Sequence, residues 1–179
     1  MRTKKEMKIL LSEKLVKALN DQMAQEFGAA NLYLSMAAYC EEEGYAGFSN
    51  FFLAQVEEER FHAMKFYHYL NELGERAVIS GLPNPEQDFG TVQGAFEAAL
   101  EHEKLVTKLI NDLADLAEAE KHRPTINFLQ WFIDEQVEEE ASFNEILDKF
   151  KMIGESGAAL YHLDKELGTR TFVPPAPEA

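Results

Sequence analysis

The chain has 179 residues, 46% of them hydrophobic, which suits one substantial core and a single domain, 1-179, better than two. Its 32 acidic and 17 basic residues give a formal charge of -15, which disfavours nucleic acid and anionic membranes as partners and favours cations. Cys40 is the only cysteine, which excludes an intrachain disulfide, a Cys-x-x-Cys metal knot and any cysteine-held iron centre.

The apolar run Ile9-Leu10-Leu11 is too short for a signal peptide or a membrane span, so a cytoplasmic protein is expected. Ser12 suits an N-cap, and from there to about Glu43 the pattern predicts one long helix with Leu15, Leu19, Ala29, Tyr33, Ala37 and Cys40 on one face. Cys40 reads as a buried, inert thiol. Glu26 falls in the middle of the same face, where a snorkelling or salt-bridged glutamate would explain it if this helix stood alone. Gly44 and Gly47 mark a short turn. The second helix, about Phe48 to Leu73 with Gly74 as its cap, puts Phe48, Phe52, Phe66 and Leu70 on the side that also carries Glu59 and His62. Those two lie one turn apart, placed to hold a metal ion between carboxylate and imidazole, and their charge is costly on a core face unless paired.

A connection of 17 residues, Gly74 to Gly90, follows with no helix of its own. Extended, it reaches up to about 58 Å, against about 39 Å for a helix of ~26 residues, so it can run the length of a bundle and let helices two and three lie parallel. Helix three, about Thr91 to Glu120, presents Phe96, Ala99, Val106, Thr107, Ile110, Ala114 and Ala117, with Glu103 centred among them. Helix four runs from near Pro124 to about Ile153, before Gly154. Its stripe of Phe128, Leu129, Phe132, Phe143, Ile146, Leu147 and Phe150 contains Gln136 and Glu139, with Glu135 and Glu138 on the shoulder. Glu140 reads as part of a solvated face, although its angle does not exclude it from a site. A short fifth helix spans about Ala158 to Leu167, and 1-11 and 171-179 are expected to be mobile tails. The expected fold is therefore all-α: a four-helix bundle with a long crossover between helices two and three, plus a short C-terminal helix. The sequence has no internal repeat, no phosphate-binding glycine loop and no nucleophile-elbow motif.

All four helices thus bring polar groups inward at matching depth. Glu26, Glu59, His62, Glu103 and Glu139 put four carboxylates and one imidazole in the bundle centre, and two divalent cations are the simplest compensation for so many buried charges. Hard oxygen ligands with one nitrogen suit iron better than copper or structural zinc. In di-iron carboxylate bundles two helices give a Glu each and two give Glu-x-x-His. Here only helix two has the full motif, and Gln136-x-x-Glu139 on helix four makes the two metal positions unequal.

Over nearly its whole length the sequence resembles a non-haem prokaryotic ferritin. The resemblance is carried by Leu19-Asn20-Asp21-Gln22, Tyr33-Leu34-Ser35-Met36, Glu58-Glu59-Arg60-Phe61-His62, His102-Glu103, Asn127-Phe128-Leu129-Gln130-Trp131, the run Asp134 to Glu140, and Leu163-Asp164-Lys165-Glu166-Leu167. It implies a ferroxidase centre with Glu26, Glu59 and His62 at one iron and Glu59, Glu103 and Glu139 at the second, Glu59 bridging, and Gln136 beside them as a hydrogen-bonding group or weak ligand. It also implies a third iron position at Glu58, Glu135, Glu138 and Glu139. These carboxylates are expected to converge without basic partners, so that a transient cation relieves their repulsion. Tyr33, two turns from Glu26 on the same face, matches the family's redox-active tyrosine, and an ordinary core tyrosine would show the same spacing. Trp131 lies off the stripe and takes no ligand role.

The implied reaction is oxidation of Fe(II) by dioxygen or hydrogen peroxide, with Fe(III) stored as mineral in a homo-oligomeric shell of twenty-four subunits. Leu32, Tyr39, Leu53, Phe61 and Met64, apolar yet off the core faces, fit buried subunit contacts. A bacterioferritin would have a haem-ligating methionine where Arg60 stands, so no haem is expected. A miniferritin would build its site between subunits, and a rubrerythrin-like peroxidase would need the missing cysteines. A metal-poor structural shell without catalysis is the alternative from another class, and oxygen consumption on adding Fe(II) separates it.

Overall fold

The computed structural model describes residues 11–154 and 156–175. Within them lie α1 (Glu13–Glu42), α2 (Ala46–Glu72), α3 (Val92–Ala119), α4 (Arg123–Ile153) and α5 (Gly157–Leu167), with no strand among the described residues. Of the two expected tails, 1–10 and 176–179 fall outside these residues. No described helix is long and apolar enough to cross a membrane.

Two helix starts follow directly from local chemistry: the Ser12 and Thr91 hydroxyls accept from the backbone N–H of Leu15 and Gly94, satisfying donors a first turn leaves orphaned. Helix α2 has no such cap at Tyr45, and α5 supplies one from a distance. Asp164 Oδ1 accepts from Gly47 N at 2.8 Å and Phe48 N at 2.9 Å. This corrects the expectation that Gly47 belongs to the turn. It lies in the first turn of α2, buried, where a Cβ would stand 1.8 Å from the Asp164 carbonyl oxygen. Gly44, at φ +86°, does make the turn.

The crossover runs along α1. Asn20 donates to Arg76 O and accepts from Val78 N near the start of α1, Ser35 Oγ donates to Glu86 O fifteen residues later, and Phe89 packs edge-on against Tyr39 at 5.4 Å. Those fifteen residues are about 22 Å of helix, so the connection carries the chain back to the end of α1 from which α2 departs. Helices α2 and α3 therefore start at the same end and run parallel, as a long-crossover bundle requires.

The apolar core is divided. One cluster joins Ala29, Tyr33, Phe52, Val56, Phe96, Leu100 and Phe143, and the other joins Leu19, Met23, Phe66, Val106, Leu129 and Phe132. Between them on every long helix comes a polar residue: Glu26 after Met23, Glu59 and His62 after Val56, Glu103 after Leu100, Gln136 and Glu139 after Phe132. The bundle is thus two apolar blocks separated by a polar belt.

Leu32 and Tyr39 are half-buried against the core, and Phe61 packs within its own chain on Trp131 and Phe172, with centroids 6.1 and 5.7 Å away. Their spacing put these three outside the core, but the crossover and the C-terminal segment cover Tyr39 and Phe61. Leu53 and Met64 do face outward, at 44% and 37% exposure, as does Leu34 at 49%.

Candidate metal centre

The belt residues Glu26, Glu59, His62, Glu103, Gln136 and Glu139 are all at most 4% exposed. Oxygens of Glu26 and Glu59 and a ring nitrogen of His62 lie within 4.8 Å of one another, a spacing that could hold a metal ion. His62 Nδ1 is 3.4 Å from Glu59 Oε2, and its Nε2 is buried with no hydrogen-bond partner. A buried ring nitrogen without a partner is costly in a finished core and useful in a ligand. Glu103 and Glu139 are outside this 4.8 Å group, although both carboxylates act on Glu59 and each has an amide or hydroxyl donor of its own. Tyr33 Oη donates to Glu103 Oε1, Gln136 Nε2 donates to Glu103 Oε2 at 3.0 Å, and Gln55 Nε2 donates to Glu139 Oε2 at 3.1 Å.

Charge makes the belt unstable on its own. Burial pushes the Glu26 carboxyl up to about 7 against the amide donor of Gln22, 2.9 Å away, and the Glu59 carboxyl lies close enough that ionising both is costly. Burial, then the neighbouring carboxylates, raises Glu59 and Glu139 well above the usual range, and burial raises Glu103 despite its donors Tyr33 and Gln136. Burial, with Lys65 nearby, lowers His62 to about 3, leaving a neutral imidazole at ordinary pH. Among the described residues no lysine or arginine forms an ion pair with Glu26, Glu59, Glu103 or Glu139. The belt therefore holds protons that an incoming cation would displace.

Beside the belt opens a cavity of about 300 Å³ lined by Glu58, Phe61, His62, Trp131, Glu135 and Arg170, among others. Oxygens of Glu58 and Glu135 come within 4.8 Å of a His62 nitrogen, so His62 belongs to both groups, a sharing its spacing did not announce. Glu138 is exposed and outside that trio, yet near enough to raise both carboxyls. The expectation that no basic group stands here fails: Arg170 Nη2 is 2.6 Å from Glu58 Oε2, and Lys65, 4.1 Å over the Trp131 ring, opposes the rise that burial imposes on the Glu135 carboxyl. Glu140 is half-buried and accepts from Thr107 Oγ1 at 2.6 Å, so it is not simply solvated.

Two participants escaped sequence reasoning. Gln55 is a fully buried amide on the Phe52 and Glu59 face of α2, an anomaly of the same kind as Glu26, and Gln22-x-x-x-Glu26 and Gln55-x-x-x-Glu59 repeat one spacing that would have marked both glutamines; Arg170 carries no such signal. Cys40, fully buried with its thiol pushed up to about 12 by burial, is the inert residue expected.

The fold and these side chains define a carboxylate-lined four-helix bundle with a buried imidazole. Residues 16–153 match the family model described as a ferritin-like domain. A bacterial non-heme ferritin of Staphylococcus aureus strain MRSA252 is 47% identical over 163 residues, 91% of this chain and 98% of that protein, and one of Staphylococcus saprophyticus is 45% identical over the same shares. An engineered closed form of Archaeoglobus fulgidus ferritin superposes with a TM-score of 0.90 at 46% identity, covering 92% of this chain and all of that one. The open-pore ferritin of the same archaeon gives 0.89 at 46% identity, over 90% of this chain and all of its own. The chain belongs to the ferritin family, as a non-haem prokaryotic ferritin, and iron storage is the function that membership supports.

Proposed function

We propose that this chain oxidises Fe(II) at a paired intrasubunit site and stores the product as ferric mineral inside a cytoplasmic shell of twenty-four identical subunits. The observation that carries the reading is the Glu26, Glu59 and His62 group, buried, without a lysine or arginine partner, and containing a neutral imidazole with an unused nitrogen. Fe(II) is the substrate. Glu26, Glu59 and His62 bind the first ion; Glu59, Glu103 and Glu139 bind the second, with Gln136 as a donor beside it or a weak ligand. Each Fe(II) gives up one electron, so a pair supplies the two that reduce dioxygen to hydrogen peroxide, or hydrogen peroxide to water. The protons held by the raised carboxyls leave as cations enter. Tyr33, which donates to Glu103, would supply the fourth electron where a third Fe(II) takes part and dioxygen is carried to water. Glu58 and Glu135, with Glu138 beside them, form a third position from which iron is relayed. No haem takes part.

The test is rapid mixing of the metal-free protein with two Fe(II) per subunit, following oxygen uptake. His62→Ala removes the nitrogen ligand and leaves a helix-compatible side chain, so initial oxidation should fall at least ~100-fold, as loss of one ligand implies. Unchanged initial oxidation would remove His62 from the site, and a wild type that oxidises Fe(II) with neither dioxygen nor hydrogen peroxide faster than solution does would leave a non-catalytic shell. Light scattering on a sizing column checks the assembly, which a native-sized monomer would rule out.

A further inference from the structure

The cavity beside the belt is closed by a segment that belongs to none of the bundle helices. After α5 the chain turns back along α2. Asn50 Nδ2 donates to Gly168 O at 3.1 Å and Arg170 O at 2.9 Å, Phe172 packs on Phe61, and the Arg170 guanidinium lies 4.4 Å over the Phe51 ring with Nη2 on Glu58. The anchors hold backbone and aromatic atoms, whereas the guanidinium reaches into the cavity by side-chain contacts alone. Its pairing is incomplete, because Nη1 is buried without a hydrogen-bond partner. It also keeps 25% side-chain exposure, so leaving Glu58 requires no opening of the core. The arm can therefore swing into the adjacent space while its backbone stays fixed.

We propose that Arg170 is the resident counter-cation of the Glu58 and Glu135 position and exchanges with the arriving metal ion, so that it sets that position's affinity. The inference rests on the third-position reading above. A divalent ion on the Glu58 carboxylate meets a guanidinium 2.6 Å from one of its oxygens. Like charges at that range repel, so binding must either remain weak or displace the arm. Without metal, Arg170 keeps Glu58 from being a buried lone charge. With metal bound, the ion takes over and the arm is released. The position is thus prevented from trapping iron tightly, which a relay requires. Arg170 acts here as a positioning residue: its one side-chain hydrogen bond among the described residues is to Glu58, and it reaches the paired site only through its charge, which lowers Glu139 against the burial that raises it.

Crystals of the assembled, metal-free protein soaked in graded Zn(II), with occupancy read by anomalous scattering, test this position by position. Arg170→Gln should fill the Glu58 and Glu135 position at roughly tenfold lower Zn(II), equivalent to ~1.4 kcal/mol, a larger change than at the paired site, which the arginine reaches only through its charge on Glu139. Arg170→Lys, which keeps the charge, should stay near the wild type. In the wild type at saturation the guanidinium should have left Glu58, a measurement that needs no variant. Filling only in Arg170→Gln would overturn the exchange, since the arginine would then exclude the ion instead of giving way to it. Zn(II) bound beside an unmoved Arg170, or equal half-filling in all three proteins, overturns the arginine's role and leaves the third position standing. Weaker filling in Arg170→Gln overturns the role too, since a competitor's removal cannot weaken its rival. A position empty in every protein overturns both readings, and an empty paired site would overturn the proposed centre separately.

Discussion

Replacing Glu26 with Gln should stabilise the metal-free protein while damaging its site. The carboxyl stands at about 7 in the folded chain against an ordinary 4.5, with burial as the first cause. A carboxyl raised on folding contributes its stability below the unfolded value and loses it as pH rises through the folded one. The window is therefore pH 4.5 to about 7, and the full cost of ionising Glu26 is of the order of 3 kcal/mol. Glutamine keeps the volume, and its amide oxygen can still accept from Gln22. Glu26→Gln should thus gain about 2–3 kcal/mol at pH 7.5, or roughly 4–12 °C in Tm for a chain of this size, and almost nothing at pH 4.5. Chelator-treated protein, unfolded thermally at fixed concentration and followed by circular dichroism, gives the comparison. Added Zn(II) should reverse the order, raising the wild type more than the variant. A variant no more stable than the wild type at pH 7.5 would refute the argument, and an equal gain at both pH values would assign it to packing.

Three further outcomes follow from the same geometry. Tyr33→Phe keeps the ring between Phe52 and Phe143, 6.0 Å from each, and removes only the donor to Glu103, so stability should change by about 1 kcal/mol. Rapid-freeze paramagnetic resonance after Fe(II) oxidation should show an organic radical in the wild type and none in the variant; equal signals would leave Tyr33 a packing residue. Gly47→Ala forces α5 off α2 and breaks the Asp164 cap, costing about 3 kcal/mol in urea unfolding, whereas Gly28→Ala, where a Cβ meets nothing within 4 Å, should be neutral or stabilising. Replacing Glu58 and Glu135 together by Gln should preserve the first oxidation of two irons per subunit but slow later turnover, with anaerobic Fe(II) soaks showing two positions instead of three. Two positions in the wild type at saturation would make these glutamates cavity-wall residues.

What the sequence made legible divides according to the range of the interaction. Helix spans and the Ser12 and Thr91 caps depend on neighbours within four residues, so periodicity and cap chemistry specify them. The polar belt was legible for a related reason: a glutamate amid Leu, Phe and Ala on one helical face violates burial rules within its own helix, and four helices do so at one depth. Gly47 was misassigned because the atom that requires glycine there, the Asp164 carbonyl, lies 117 positions along the chain, and a glycine after Gly44 looks like more of the same turn.

Arg170 shows the limit most sharply. It follows the last helix, in a stretch without periodicity, where an arginine has no face to violate. Its meaning comes from Asn50, Phe51 and Glu58, three residues of α2 that it meets only through the fold. Counting charges within the motif suggested carboxylates repelling one another with no cation nearby. The fold supplies the missing charge from over a hundred residues away, because α5 must cap α2 and so delivers the following segment to the cavity mouth. The acidic motif reports what the pocket can bind, whereas the tail governs how tightly, and only the three-dimensional return of the chain connects the two.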